Sequence, residues 1–176
     1  LRTQKEGSTD PNDAIEAVCF PAGCAAAASF DPALTRRMGA ALGREARASG
    51  VQVLLGPAVN IKRSPLCGRN FEYYSEDPFL SGTVASKEVY GAATKGLYAY
   101  IKHFAFNDQE NHRGDRDGQY GAATWLNEQS AREIYLKPFE MCMKLDDVTL
   151  NYVEKQADGS YKNATTTCLL YTSPSP

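Results

Sequence analysis

The chain has 176 residues, 43% of them hydrophobic and 23% charged, with a formal net charge of −2, which is the make-up of one ordinary globular unit. That balance gives no reason to expect nucleic acid or an anionic membrane surface as a partner, and no apolar run approaches the ~20 residues a bilayer-spanning helix needs. Five cysteines (Cys19, Cys24, Cys67, Cys142 and Cys168) form no CxxC pair, which argues against a disulfide scaffold and a zinc ribbon and favours a reducing, cytoplasmic setting.

Residues 1–17 are polar and hold Gly7, Ser8 and the run Asp10-Pro11-Asn12-Asp13, the signature of a surface loop. The opening residues lack an initiator Met and a signal-peptide core, so the chain is read as starting inside a longer one. Small residues Ala22 to Ala28 predict close backbone packing, and Asp31-Pro32 then predicts a helix start, with Asp31 as N-cap and Pro32 in the first turn. The helix is expected over 32–48. Its apolar positions Leu34, Met38, Ala41, Leu42 and Ala46 form one stripe, and Gly50 sits where a C-terminal glycine stops a helix.

Residues 51–57, Val-Gln-Val-Leu-Leu-Gly-Pro, are too few for a helix and apolar on both faces, as in a buried parallel strand. The strand ends in Pro57, Asn60, Lys62, Arg63 and Pro65, and a long irregular segment, 67–78, occupies the place where a loop after a strand carries function. Asp77-Pro78 repeats the helix-start pattern, predicting a second helix over 78–95 with Leu80, Val84, Val89, Ala92 and Ala93 inward. A strand follows over 98–104, then a polar loop over 107–119, then a third helix over 124–144. Helix, strand and loop in repetition is the order of a parallel α/β sheet.

Past Lys144 the rhythm changes. Strand-like residues 148–153, the turn Ala157-Asp158-Gly159-Ser160 and the strand-like residues 161–165 predict a hairpin inserted over 146–166. The last ten residues, 167–176, read as an artefactual tail resembling a translated sequencing adapter and are set apart from the fold.

Chemistry concentrates where the 98–104 strand ends. Lys102, His103, Asn107, Asp108 and Glu110 follow an apolar run within nine residues, interleaved with Phe104 and Phe106. In a parallel sheet or barrel the loops after strands gather on one face, so Arg69 and Lys102-His103 are expected to converge on one pocket. The alternative for Arg69 is an ion pair with Glu72 or Glu76, and for His103 a satisfied core histidine. Asp115-Arg116-Asp117-Gly118 echoes a calcium loop but lacks the further ligands, and His103 and His112 have no partner at a metal-ligand spacing. We expect neither metal nor cofactor.

Leu55-Gly56-Pro57-Ala58-Val59-Asn60-Ile61, then Gly68-Arg69-Asn70-Phe71-Glu72-Tyr73-Tyr74-Ser75-Glu76-Asp77-Pro78, then Lys102-His103-Phe104, resembles the N-terminal barrel domain of glycoside hydrolase family 3, β-glucosidase branch. The likeness covers residues 15–145. It implies a partial (β/α)8 TIM barrel, truncated at both ends, with residues 1–166 as a fragment of that domain. In the family the matching Arg, Lys and His bind hydroxyls of the sugar whose bond is broken. The resemblance therefore implies Arg69, Lys102 and His103 as substrate-binding residues.

The same resemblance implies a retaining β-glucosidase that hydrolyses terminal non-reducing β-D-glucosyl residues, with a β-glucoside or oligosaccharide as substrate. The alternatives are a β-xylosidase or other exo-glycosidase of the family, or a non-catalytic carbohydrate-binding homologue. No catalytic residue is assigned here. The family nucleophile is an Asp on a later strand, the general acid lies further on, and an Asp-Gly-Pro-His-Gly segment precedes the point where this sequence begins. A phosphate-binding enzyme would want a glycine-rich loop opening a helix, and none is present. By itself the chain is expected to be inactive and, with a bare sheet edge, prone to aggregate.

Overall fold

Two Asp-Pro pairs start the two long helices. In the computed structural model, which describes residues 10, 13, 16–111, 123–145, 149–166 and 170–174, α1 is the short helix Gly23–Ala28 and α2 spans Pro32–Ala48. The Asp31 carboxylate accepts the Leu34 N–H at 2.9 Å, satisfying one of the orphan donors of the first turn, and Pro32 loses nothing there because its missing donor would be unpaired. The helix α3, Pro78–Ala93, opens in the same way, with Asp77 Oδ1 accepting from Leu80 N at 2.5 Å. Each ends in a left-handed glycine, Gly50 at φ 75° and Gly96 at φ 76°, whose conformation lets the next backbone N–H return to the last turn.

The two helices pack backbone to backbone. A Cβ at Gly39 would stand 2.1 Å from the Glu88 carbonyl oxygen, and one at Gly91 would stand 2.1 Å from that of Arg36. This close approach decides which face of α2 is buried: Thr35, Gly39, Leu42, Gly43 and Ala46 point inward, while Leu34 is left 43% exposed. The predicted stripe was right for Leu42 and Ala46 and wrong for Leu34, because glycine rather than leucine marks the contact line. On α3 the expected Val84, Val89, Ala92 and Ala93 are all buried.

The strand β1 is reduced to Val53–Leu54 and pairs in parallel with β2, Tyr98–Phe104. The expected strand buried on both faces is corrected here: Val53 is 39% and Leu55 65% exposed, since among the described residues β1 lies at the sheet edge with a neighbour on one side only. The two chains stay together beyond β1, with Lys102 N donating to Pro57 O (3.0 Å) and Val59 N to Lys102 O (2.7 Å). Ala99 and Ile101 of β2 are buried in the main core with Val59, Tyr74, Val84, Val89 and Phe139. Helix, strand, helix, parallel strand is the order of a partial (β/α)8 barrel.

The predicted third helix is broken. After α4, Glu128–Ser130, the chain widens to a π turn over Ala131–Tyr135 and resumes as α5, Lys137–Met143. Pro138 accounts for this: it has no N–H for the Ile134 carbonyl and its ring crowds that position, so Leu136 N reaches back five residues to Ala131 O at 2.8 Å. The hairpin forms as expected, with β3, Leu150–Lys155, antiparallel to β4, Tyr161–Thr166, and Gly159 at φ 84° in its turn. Beyond it β5, Leu170–Pro174, lies parallel to β2, so five residues that the sequence pattern set apart from the fold occupy a sheet position. His112, the 115–118 turn and Cys168 lie outside the described residues. No helix among the described residues is long and apolar enough to cross a membrane.

Candidate sugar-binding site

The loop that follows β1 and the end of β2 meet, as expected of loops that follow parallel strands. Asn70 donates to Ser64 O at 2.7 Å, Glu72 N to Arg69 O at 2.9 Å and Tyr73 N to Asn70 O at 3.2 Å, so successive tight turns fold the loop and aim Arg69 and Glu72 toward one point. Arg69 grips Glu72 with two bonds, Nε to Oε1 at 2.6 Å and Nη2 to Oε2 at 2.9 Å. Lys102 Nζ stands 3.8 Å from the same Oε2, and Glu110 Oε1 is 3.9 Å from Arg69 Nε. Thus the ion pair with Glu72 that sequence held open for Arg69 is present, and the convergence with Lys102 and His103 is present as well.

His103 is 3% exposed. Its Nε2 lies 2.9 Å from Arg69 Nη2 and its Nδ1 3.4 Å from the Tyr73 hydroxyl, with the Tyr73 ring edge-on at 6.2 Å. Asn107 Nδ2 donates both to the Tyr73 hydroxyl, at 2.8 Å, and to Glu110 Oε1, at 2.9 Å. The His103 backbone is held in turn by Asn60, whose Oδ1 accepts from His103 N at 2.7 Å and whose Nδ2 donates to His103 O at 2.8 Å. The Lys102–His103 peptide bond is cis.

Electrostatics follow from this packing. Burial pushes the Glu72 carboxyl up, but the Arg69 hydrogen bonds and the charges of Arg69 and Lys102 outweigh it and hold the group below its ordinary value of 4.5. The Glu72 hydrogen bond raises Arg69 in return, against burial. Burial pushes the Tyr73 phenol up to about 12, leaving it a neutral hydroxyl. Among the described residues, the cationic donors without a hydrogen-bond acceptor are Arg69 Nη1 and the Lys102 ammonium, whose one ionic neighbour is at 3.8 Å. Such a cluster is built to offer charge-assisted donors to neutral oxygens.

Asn60 and Tyr73 are the residues that sequence reasoning did not single out as part of this arrangement, whereas Asn107 was among the polar residues read at the end of the strand. Asn60 carried a signal in being polar directly after the apolar 57–59 run, but its partner sits on another strand. Glu76 makes no hydrogen bond or ion pair among the described residues, and with Asp108, Lys62, Arg63, Trp125 and Tyr135 it lines a separate cavity of about 640 Å³ that Arg69, Lys102 and His103 do not border. Among the described residues no group of three His, Cys, Asp or Glu side chains is placed to hold a metal ion.

Comparison with known proteins gives this geometry a context. The family profile described as "Glycosyl hydrolase family 3 N terminal domain" matches residues 7–154. Thermostable beta-glucosidase B of Acetivibrio thermocellus is 47% identical over 146 residues, which is 82% of this chain and 18% of that protein. An exo-alpha-(1->6)-L-arabinopyranosidase of Bifidobacterium breve is 42% identical over 138 residues, 78% of this chain and 17% of that protein. Beta-glucosidase 3B from Thermotoga neapolitana, solved in complex with alpha-D-glucose, superposes with a TM-score of 0.68 at 40% identity over 82% of this chain and 19% of that one. The chain therefore spans under a fifth of the length of these relatives.

Proposed function

This chain belongs to the glycosyl hydrolase family 3 N-terminal domain family, and we propose that it forms part of the glucose-binding subsite of a retaining β-glucosidase acting on terminal β-linked glucosyl residues. One observation carries the reading. Arg69 and Lys102 present unspent cationic donors side by side, each backed by the Glu72 carboxylate. A sugar hydroxyl has no charge to pair with, so firm orientation of a ring needs donors of this kind, each worth about 1.5–3 kcal/mol net. His103 belongs to the same wall, with its ring turned to Arg69 and Tyr73.

In this proposal the residues of the chain bind and orient, and the two carboxyl groups of a retaining mechanism, ~5–5.5 Å apart across the glycosidic bond, come from elsewhere in the enzyme. Glu72 is unsuited to that work because both its oxygens are engaged by Arg69. Residues 1–166 form the barrel piece, with 146–166 as an insertion on it. The arabinopyranosidase relative favours a second reading, an exo-glycosidase of the same family with a different terminal sugar. The test is Lys102→Ala in the full-length enzyme, with an aryl β-glucoside and an aryl α-L-arabinopyranoside as substrates. We expect the glucoside to be preferred and its kcat/KM to fall at least tenfold, about 1.4 kcal/mol of transition-state binding. Unchanged kinetics would remove Lys102 from the site.

A further inference from the structure

We propose that Asn60 is a positioning residue of this sugar site, its carboxamide acting as a side-chain rung that fixes the end of β2 from which Lys102 and His103 project. The inference rests on the sugar-binding reading above. Backbone pairing between the two chains runs through Pro57, Ala58 and Val59 against Lys102. The chain then turns away, with Arg63 N donating to Ile61 O at 2.8 Å and Lys62 N to Ser75 O at 3.3 Å. The next peptide groups, the His103 N–H and C=O, are met by a side chain. The Asn60 carboxamide takes both, at 2.7 and 2.8 Å, an arrangement suited to a primary amide because it offers one acceptor and one donor in a plane.

Both residues are 3% exposed, so water is poorly placed to replace the lost partners. Asn60 touches no substrate in this scheme. It acts through the peptide units flanking His103, and so through the direction of the Lys102 ammonium and of the imidazole that meets Arg69. An aspartate at 60 keeps the shape and the acceptor but sets an oxygen against the His103 carbonyl, while alanine removes both bonds.

The experiment is a double-mutant cycle in the full-length enzyme with an aryl β-glucoside: Asn60→Asp, Asn60→Ala, Lys102→Ala and the two double variants, with melting temperatures alongside. If Asn60 acts through Lys102 and His103, each single change at 60 lowers kcat/KM about tenfold or more. Adding either to Lys102→Ala then costs no more than about threefold further, because coupled residues are not additive. Multiplying losses, or unchanged kinetics in the isosteric Asn60→Asp, overturn the proposal while leaving the sugar reading intact. No loss in Lys102→Ala overturns the sugar reading, and the positioning role with it.

Discussion

Arg69 Nη2 and His103 Nε2 are 2.9 Å apart, and a guanidinium can only donate, so the imidazole accepts at Nε2 and carries its proton on Nδ1, toward Tyr73. One planar fork thus grips a carboxylate and an imidazole together. A lysine has neither the fork nor the reach to do both. Arg69→Lys is therefore expected to lower kcat/KM of the full-length enzyme on an aryl β-glucoside by at least tenfold, although the charge is kept. Wild-type kinetics would mean that charge alone is what the site needs.

The Glu72 carboxyl is held below its ordinary 4.5, so the sign of its contribution is fixed. Its folded state binds fewer protons than the unfolded one near that value, so its stabilisation is present above about pH 4.5 and is lost as pH falls through the depressed value. Glu72→Gln should accordingly flatten the acid side of a melting-temperature profile. A variant that loses stability in parallel with the wild type down to the acid limb would contradict this.

Glu88 behaves in the opposite sense. It is buried at the α2–α3 contact with the Tyr74 hydroxyl donating to it at 2.6 Å, and burial raises its carboxyl despite that bond. An acid with a raised folded value stabilises most at low pH, and the benefit drains as pH rises from the ordinary 4.5 through the raised value. The stability of Glu88→Gln relative to wild type should therefore improve steadily with pH. Tyr74→Phe, which leaves the carboxyl without that donor, is expected to cost about 1–3 kcal/mol by calorimetry.

Gly91 faces the backbone of α2, where an added Cβ would meet Arg36 O at 2.1 Å and Ala40 N at 2.7 Å. Backbone cannot swing aside as a side-chain end can, so Gly91→Ala must push the helices apart. We expect a loss of about 1–3 kcal/mol or more by denaturant titration, despite the gain in helix propensity. At Gly50, where nothing lies within 4 Å, alanine should cost less, and only through its φ of 75°.

What was legible in the sequence was mostly local. Asp31-Pro32 and Asp77-Pro78 start helices because a carboxylate reaches the N–H three residues on whatever surrounds it, and the Asp158-Gly159 turn closes a hairpin on the same short range. The loops after strands and the motif resemblance also brought Arg69, Lys102 and His103 to one place, which the fold bears out. Leu34 shows where pattern fails: hydrophobicity marks it as core, but the helix contact is drawn by Gly39 and Gly91, whose importance appears only when two backbones approach.

By itself the sequence determined the order of the long helices and of β1 and β2, the helix caps and the set of polar side chains that end β2, because each depends on neighbours a few residues away. Only the tertiary structure decided what those side chains are joined to. Glu72 rather than Glu76 receives Arg69, and the Asn60 side chain meets both backbone groups of His103 near the end of β2. Such choices are made where a loop after one strand lies beside the end of another, and hydrogen bonds of about 3 Å reach depend on that placement, which no residue spacing specifies.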